Sequence, residues 1–73
     1  MDIHVELLIN GESRRLAEGS SVEDLLMSIK IDPGKARGIA VAVNEKIVRR
    51  IRWNDKILQS GDRVEVVSAQ QGG

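Results

Sequence analysis

From Ile3 to Ile9, every second residue is apolar, which is the period of a strand with one buried face; His4, Glu6 and Leu8 are on the other face. The face expected to point inward carries Ile3, Val5, Leu7 and Ile9. Asn10-Gly11 follows, and this dipeptide tolerates the positive φ angles of a two-residue type I′ turn. We therefore predict a hairpin whose second strand covers residues 13–17, with Leu16 pointing inward.

The period of the apolar residues changes after Gly19, from that of a strand to that of a helix. Ser20 and Glu23 have the S-x-x-E spacing of a capping box, which satisfies the free N–H groups of a helix start. The apolar residues that follow at i, i+3, i+4 and i+7 are Val22, Leu25, Leu26 and Ile29. The helix is expected to end near Ile31, because Asp32-Pro33-Gly34 cannot continue it.

The apolar run at 39–43 predicts a buried strand, and Asn44-Glu45 predicts a tight turn after it. A short strand at 46–49 should follow, with Ile47 pointing inward. Residues 50–55 mix charges with apolar side chains, which indicates a loop or single turn in which Trp53 covers the core.

Leu58 is expected to anchor the far end of this loop, ahead of a turn at 60–62. The last strand is predicted at 63–67, where Val64 and Val66 share one face and Glu65 and Val67 share the other.

The order strand, strand, helix, strand, strand, strand predicts an α+β fold. It is the pattern of the β-grasp, or ubiquitin-like, roll, with a mixed four- to five-stranded sheet and one main helix packed on one face. The first crossover joins parallel strands in most sheets of this kind, which places the last strand beside the first in the middle of the sheet. We assign residues 1–68 to this domain and residues 69–73 to a flexible C-terminal tail.

Length and composition restrict the function. A domain of 73 residues buries only about 60% of the surface of its unfolded chain, which disfavours a deep enclosed active site. Eleven Lys and Arg balance eleven Asp and Glu, so no overall field attracts nucleic acid or anionic lipid. Cysteine is absent, and no apolar run approaches the roughly 20 residues of a membrane span. We expect a cytoplasmic protein that binds neither nucleic acid nor membrane.

Residues that could perform chemistry are scarce. The sequence contains no P-loop, no nucleophile paired with a base and no carboxylate cluster with metal-ligand spacing. The single histidine, His4, alternates on a strand beside Glu6 and is expected to be a solvated surface residue. We predict no catalytic residue, no metal site and no bound cofactor, so the chain is expected to be a substrate of enzymes and not itself an enzyme.

The C-terminal pair Gly72-Gly73 is the stretch at which chemistry is expected. Residues 69–73 include no bulky, branched or charged side chain, so the tail can lie extended in a narrow channel. A terminal carboxyl group has a pKa of about 3.5, and its anion reacts with nucleophiles only after activation, for example as a mixed anhydride with AMP. Gly73 is the predicted modified residue, and Gly72 provides clearance beside it.

Two surfaces are candidates for contact with partners. Leu8 and Val67 are expected to point outward on neighbouring strands, and Gln70 and Gln71 lie in the tail. The cationic residues of the second half are interpreted as a solvated edge, with a dock for an acidic partner as the alternative; they are Lys46, Arg49, Arg50, Arg52 and Lys56.

The second half of the chain resembles the ThiS family of sulfur carrier proteins of thiamine biosynthesis. The resemblance rests on residues 38–44, on 47–50 with Trp53, on 61–67 and on the terminal Gly72-Gly73. The chain departs from the usual family pattern in two turns, at 44–45, where Asn-Gly is more common, and at 49–50, where Pro-Arg often stands.

The resemblance implies a β-grasp fold and a reaction at Gly73. An E1-like, ThiF-like enzyme would use ATP to adenylate this residue. A persulfide protein would supply sulfur to give a thiocarboxylate, and a ThiG-like thiazole synthase would use that thiocarboxylate as its sulfur donor.

Three alternatives remain open at the level of sequence. A MoaD-like carrier of molybdopterin synthesis has the same fold and tail, commonly with Pro-Pro ahead of the glycines, where this chain has Ser68-Ala69-Gln70-Gln71. A ubiquitin-like modifier would pass the adenylated Gly73 to a lysine amine. A non-covalent β-grasp binding module would make no chemical use of the glycines.

Overall fold

The computed structural model describes residues 3–35 and 37–68. Five strands, one α-helix and one short 3-10 helix make up this part of the chain. The elements are β1 (His4–Ile9), β2 (Glu12–Ala17), α1 (Val22–Ser28), β3 (Ile39–Val43), β4 (Lys46–Val48), the 3-10 helix Arg50–Arg52 and β5 (Arg63–Ser68). This is the order that the sequence predicts.

The five strands form one sheet in the order β2-β1-β5-β3-β4. β1 and β5 are parallel, and the other neighbours are antiparallel. The last strand therefore lies beside the first in the middle of the sheet, which confirms the prediction of an α+β, β-grasp arrangement. The buried core consists of Val5, Leu7, Ile9, Val22, Leu25, Leu26, Val41, Val43, Trp53, Leu58 and Val64.

Two tight turns join neighbouring strands, and both contain residues with positive φ. Asn10 and Gly11 have φ angles of 51° and 86° between β1 and β2. Asn44 and Glu45 have φ angles of 52° and 72° between β3 and β4. Positive φ at both central residues is the signature of a type I′ turn, which confirms both turn predictions.

The start of α1 differs by one residue from the prediction. The capping box joins Ser21 and Asp24: the Ser21 hydroxyl accepts from the Asp24 N–H at 3.1 Å, and the Asp24 carboxylate accepts from the Ser21 N–H at 2.9 Å. The predicted pair of Ser20 and Glu23 is wrong, because the Ser20 hydroxyl donates instead to the carbonyl of Ala17 at 2.7 Å. Adjacent serines and adjacent acids give the same spacing in both registers, so the spacing alone cannot separate them.

The end of α1 also differs from the prediction. The helix ends at Ser28, and Lys30 has a φ of 67°. The Lys30 N–H donates to the carbonyl of Met27 at 3.0 Å, and the Ile31 N–H donates to that of Leu26 at 2.9 Å. These two bonds form a Schellman motif, which usually has glycine at the position that Lys30 occupies. The expected end near Ile31 is therefore three residues too late.

Two apolar residues lie outside the core although they were expected to point inward. Ile47 is 70% exposed, because it pairs with Ala42 on the outer face, while Val48 pairs with the buried Val41 and packs against the core. Ile3 precedes β1 and is 59% exposed. The short β4 ends at Val48, so the predicted strand at 46–49 is one residue too long.

The loop after β4 covers the core as predicted. Trp53 is buried, and its indole N–H donates to the carbonyl of Val48 at 2.9 Å. The Arg50 guanidinium lies 5.8 Å from the centre of the Trp53 ring and donates to the carbonyl of Pro33 at 2.8 Å. Leu58 is also buried, which confirms its predicted role at the far end of this loop.

Candidate functional site

The candidate site begins at β5, the strand that leads to the tail. Val64 is buried and Val66 is partly buried, whereas Glu65 and Val67 are exposed on the opposite face, as predicted. β5 pairs with β3 from Val43 opposite Val64 to Ile39 opposite Ser68. Its pairing with β1 is much shorter and ends at Ile9 opposite Val64. Beyond Val64, the backbone of β5 is therefore not paired with β1.

The side chain of Asn10 contacts β5 beyond Val64. Its amide oxygen accepts from the Val66 N–H at 2.9 Å, and its amide nitrogen donates to the Val66 carbonyl at 3.2 Å. The Asn10 backbone N–H also donates to the carbonyl of Val64 at 2.9 Å. A side-chain amide thus continues the pairing beyond the end of β1, and it holds β5 two residues before Ser68.

Asn44 holds the start of β5 in a similar way. Its amide oxygen accepts from the Arg63 N–H at 3.0 Å, and its amide nitrogen donates to the Asp62 carboxylate at 2.9 Å. Sequence reasoning assigned Asn10 and Asn44 only to their turns. The available signal is that each type I′ turn opens with asparagine, whose amide can bond to a neighbouring backbone.

The predicted reactive residues Gly72 and Gly73 lie outside the described residues, as do Gln70 and Gln71. Ser68 is the last described residue before them and is paired with Ile39. The roles assigned to the tail therefore remain predictions.

Leu8 and Val67 are both on the outer face of the sheet, with exposed fractions of 42% and 57%. The structure does not bring them together. Leu8 is opposite Arg63, and Val67 lies four residues farther along β5, roughly 13 Å away at about 3.3 Å per residue. The register of two parallel strands depends on contacts between distant parts of the chain. It could therefore not be predicted from the alternation of apolar and polar residues along each strand.

Val67 instead belongs to a different apolar surface. Its partner on β3 is Ala40, and Ala42, two residues farther along β3, pairs with the exposed Ile47 on β4. We call Val67, Ala40, Ala42 and Ile47 the outer-face patch. Glu65 pairs with Ala42 and lies beside the patch on β5. Because Ile47 was expected to point inward, this surface was not predicted from the sequence.

Within residues 3–35 and 37–68, no three His, Cys, Asp or Glu side chains lie close enough together to hold a metal ion. His4 is exposed on β1. Ser21 is the one buried polar side chain in this part of the chain, and its hydroxyl is used in the capping box. No helix in the same part of the chain has the length and apolar character needed to cross a membrane.

The fold and the central position of β5 define a small β-grasp protein of the ubiquitin-like class. The comparison with known proteins gives the family. The chain belongs to the ThiS family, whose model matches residues 7–73. The resemblance seen in the sequence is thereby confirmed.

Individual relatives agree with this assignment. The sulfur carrier protein ThiS of Escherichia coli is 33% identical over 69 residues, which cover 94% of this chain and 100% of that protein. The crystal structure of the thiamine biosynthesis protein ThiS from Geobacter metallireducens has a TM-score of 0.77 and 27% identity, and the match covers 94% of this chain and 100% of that one. A thiazole synthase of Magnetococcus marinus is 36% identical over 73 residues, which cover 100% of this chain and 20% of that enzyme.

Proposed function

We propose that this protein is a sulfur carrier of thiamine biosynthesis and that Gly73 carries the sulfur as a terminal thiocarboxylate. The observation that supports this proposal most strongly is the match of the ThiS family model to residues 7–73, a range that includes the terminal glycine pair. The similarity over the full length of a named sulfur carrier supports the same function.

The proposed reaction has three steps. An E1-like enzyme uses ATP to join AMP to the carboxylate of Gly73, and pyrophosphate leaves. The terminal sulfur of a persulfide on a donor protein then attacks the acyl carbon and displaces AMP. A thiol breaks the sulfur–sulfur bond, which releases the thiocarboxylate and leaves a disulfide. The carrier binds no cofactor in this scheme, because ATP is bound by the activating enzyme.

The chain contributes a shape that fits the active sites of its partner enzymes. An acyl adenylate must be kept from water, so the tail has to enter an enclosed site. Gly72 and Gly73 have no side chain that would obstruct this entry. β5 offers a fixed base for the tail, because β3 pairs with it as far as Ser68 and Asn10 binds Val66 on the other side.

A thiazole synthase is the proposed acceptor of the sulfur. The thiazole synthase of Magnetococcus marinus includes a stretch that is similar to the whole of this chain. A carrier-like domain and a synthase in one polypeptide support a functional partnership between the separate proteins. We propose that the outer-face patch contacts the partner enzymes, since Val67 precedes the tail by one described residue.

The function is tested by incubating the protein with ATP, a purified E1-like activating enzyme and a persulfide donor. The wild-type chain should show the mass increase that accompanies replacement of one oxygen by sulfur. Gly73→Ala should lower the yield at least about tenfold, because a methyl group displaces the acyl carbon in a tight site. Intact-protein mass spectrometry measures both yields.

Gly34→Ala is the matched control, because it makes the same change in an exposed loop of the described domain. A Cβ atom there would lie 3.3 Å from a side-chain oxygen of Asp32, a contact that a small movement relieves. This variant should accept sulfur like the wild type. Equal yields from Gly73→Ala and wild type would contradict the proposed role of the terminal glycine.

A further inference from the structure

An open groove of about 600 Å³ lies along β4, the edge strand at the end of the sheet opposite β2. One wall is β4 with its flanking residues, and the other is formed by Arg52, Asp55 and Lys56 of the following loop. We call it the β4-edge groove. Its described lining residues lie between Val43 and Lys56, and its charge is not used in the proposed sulfur chemistry.

The β4-edge groove is strongly cationic. Four of the side chains that line it are positively charged: Lys46, Arg49, Arg52 and Lys56. Asp55 is the carboxylate among the lining residues, and it is already bound to Arg52 at 3.1 Å. The whole sequence has a formal charge of zero, so this positive excess is a local property. Such a groove attracts acidic groups.

The backbone of β4 offers hydrogen bonds at the same place. The type I′ turn makes Val43 and Lys46 the hydrogen-bonded pair that closes the hairpin. Pairs alternate along an antiparallel ladder, so the next pair, Ala42 and Ile47, is the non-hydrogen-bonded kind. The N–H and C=O of Ile47 therefore point away from β3, towards the open edge.

The far wall is held in place by the buried Trp53. Its indole N–H bonds to the carbonyl of Val48, and its backbone carbonyl accepts from the Glu23 N–H at 2.9 Å. The loop that carries Arg52 and Lys56 is thus fixed to both the sheet and α1. The cationic wall is already in place before a partner binds, which lowers the free-energy cost of ordering its residues on binding.

We propose that the β4-edge groove binds an extended acidic segment of a partner protein, which adds to the sheet as a strand beside β4. The segment would exchange two backbone hydrogen bonds with Ile47. Its acidic side chains, which project from alternate positions of an extended chain, would meet the cations of the groove. A nucleic acid fits less well, because the only aromatic residue, Trp53, is buried and offers no surface on which bases can stack.

The proposal is tested with the full chain labelled with ¹⁵N and a synthetic acetylated peptide of alternating threonine and glutamate. Chemical-shift changes should centre on Ile47 and its neighbours, and hydrogen exchange of the Ile47 amide should slow at least about tenfold when the peptide is saturating. Binding should weaken as salt is added, because exposed charges are screened. A peptide of alternating threonine and glutamine should cause much smaller changes.

Charge reversal tests the cations separately. Arg49→Glu combined with Lys56→Glu should weaken peptide binding at least about tenfold. Arg14→Glu combined with Lys35→Glu makes the same change in charge at exposed positions outside the groove and should retain binding. The melting temperature of each variant is compared with that of the wild type to confirm folding.

Two further ligands test the mode of binding. A threonine-glutamate peptide methylated on alternate backbone nitrogens should lose binding if the strand is added through the backbone. Equal binding of this peptide, tighter binding of oligouridylate, or no change at Ile47 would each overturn the proposal. No enzyme or ATP is used, so failure here leaves the sulfur-carrier proposal standing, and failure of sulfur transfer leaves this one standing.

Discussion

Asn10 connects a local turn to the strand that precedes the tail. Its backbone adopts the positive φ of a type I′ turn, and its side chain makes two hydrogen bonds to the backbone of Val66. One residue therefore closes the hairpin and fixes the second half of β5. We expect both effects to be separable by mutation.

Asn10→Gly keeps the backbone conformation of the turn and removes the two side-chain bonds. The free energy of unfolding should fall by about 1–2 kcal/mol, since a typical hydrogen bond contributes about 1 kcal/mol. Chemical denaturation measures this loss. Hydrogen exchange at the Val66 amide should accelerate more than exchange at Val41 in the core.

Glu45→Gly provides the control, because Glu45 has the same positive φ in the other type I′ turn and no described hydrogen bond from its side chain. Its stability should be unchanged or slightly increased, since glycine adopts positive φ without strain. An equal loss of stability in both variants would show that the turn, and not the amide, accounts for the effect of Asn10.

The burial of single residues was predictable where the apolar pattern of a strand or helix is long enough to show which face points inward. Val5, Leu7 and Ile9 are buried as their alternation predicts. Ile47 was predicted wrongly because β4 has only three residues, and its phase is set by pairing with β3. The bonds between Asn10 and Val66 join residues 56 positions apart, so no local pattern indicates them.

At the scale of elements, the capping box of α1 gives a direct test of which serine begins the helix. Ser21→Ala should reduce the free energy of unfolding by about 1 kcal/mol, because it leaves the Asp24 N–H without its partner. Ser20→Ala should cost less, since Ser20 is less buried than Ser21 and bonds only to the carbonyl of Ala17 through its hydroxyl. Chemical denaturation of the two variants compares them, and a larger loss from Ser20→Ala would contradict the observed cap.

The order of the elements was predictable, because periods of two and of 3.6 residues are distinct in this sequence. The ends of α1 were not. Two overlapping capping spacings compete at its start, and at its end Lys30 occupies a position that glycine usually marks. The ends of a helix depend on individual backbone hydrogen bonds, and several sequences can make the same hydrogen bonds.

The structure changes the prediction of a docking surface more than any other prediction about the molecule. Val67→Asp places a charge in the outer-face patch beside the tail and should weaken binding to the activating enzyme at least about tenfold. Leu8→Asp makes the same change on the same face but opposite Arg63, and it should have a smaller effect. Binding assays with the purified enzyme compare the two, and unchanged affinity for Val67→Asp would contradict a role of the outer-face patch in binding.

The topology of the molecule was predictable because few sheet arrangements satisfy the element order and the usual rules for connections between strands. The reactive role of Gly73 stays a prediction, which rests on the absence of side chains at Gly72 and Gly73 and on the resemblance to the family. The composition of the outer-face patch was not predictable, since it depends on the registers of β5 with β3 and of β3 with β4.

The proposed sulfur-carrier function is tested most directly by intact-protein mass spectrometry of this chain purified from its own cells during thiamine synthesis. We predict a fraction of molecules in which sulfur replaces one oxygen, with fragmentation placing the sulfur on Gly73. A chain that carries only an unmodified carboxylate under these conditions, or that is joined through Gly73 to lysine side chains of other proteins, would contradict the proposed function.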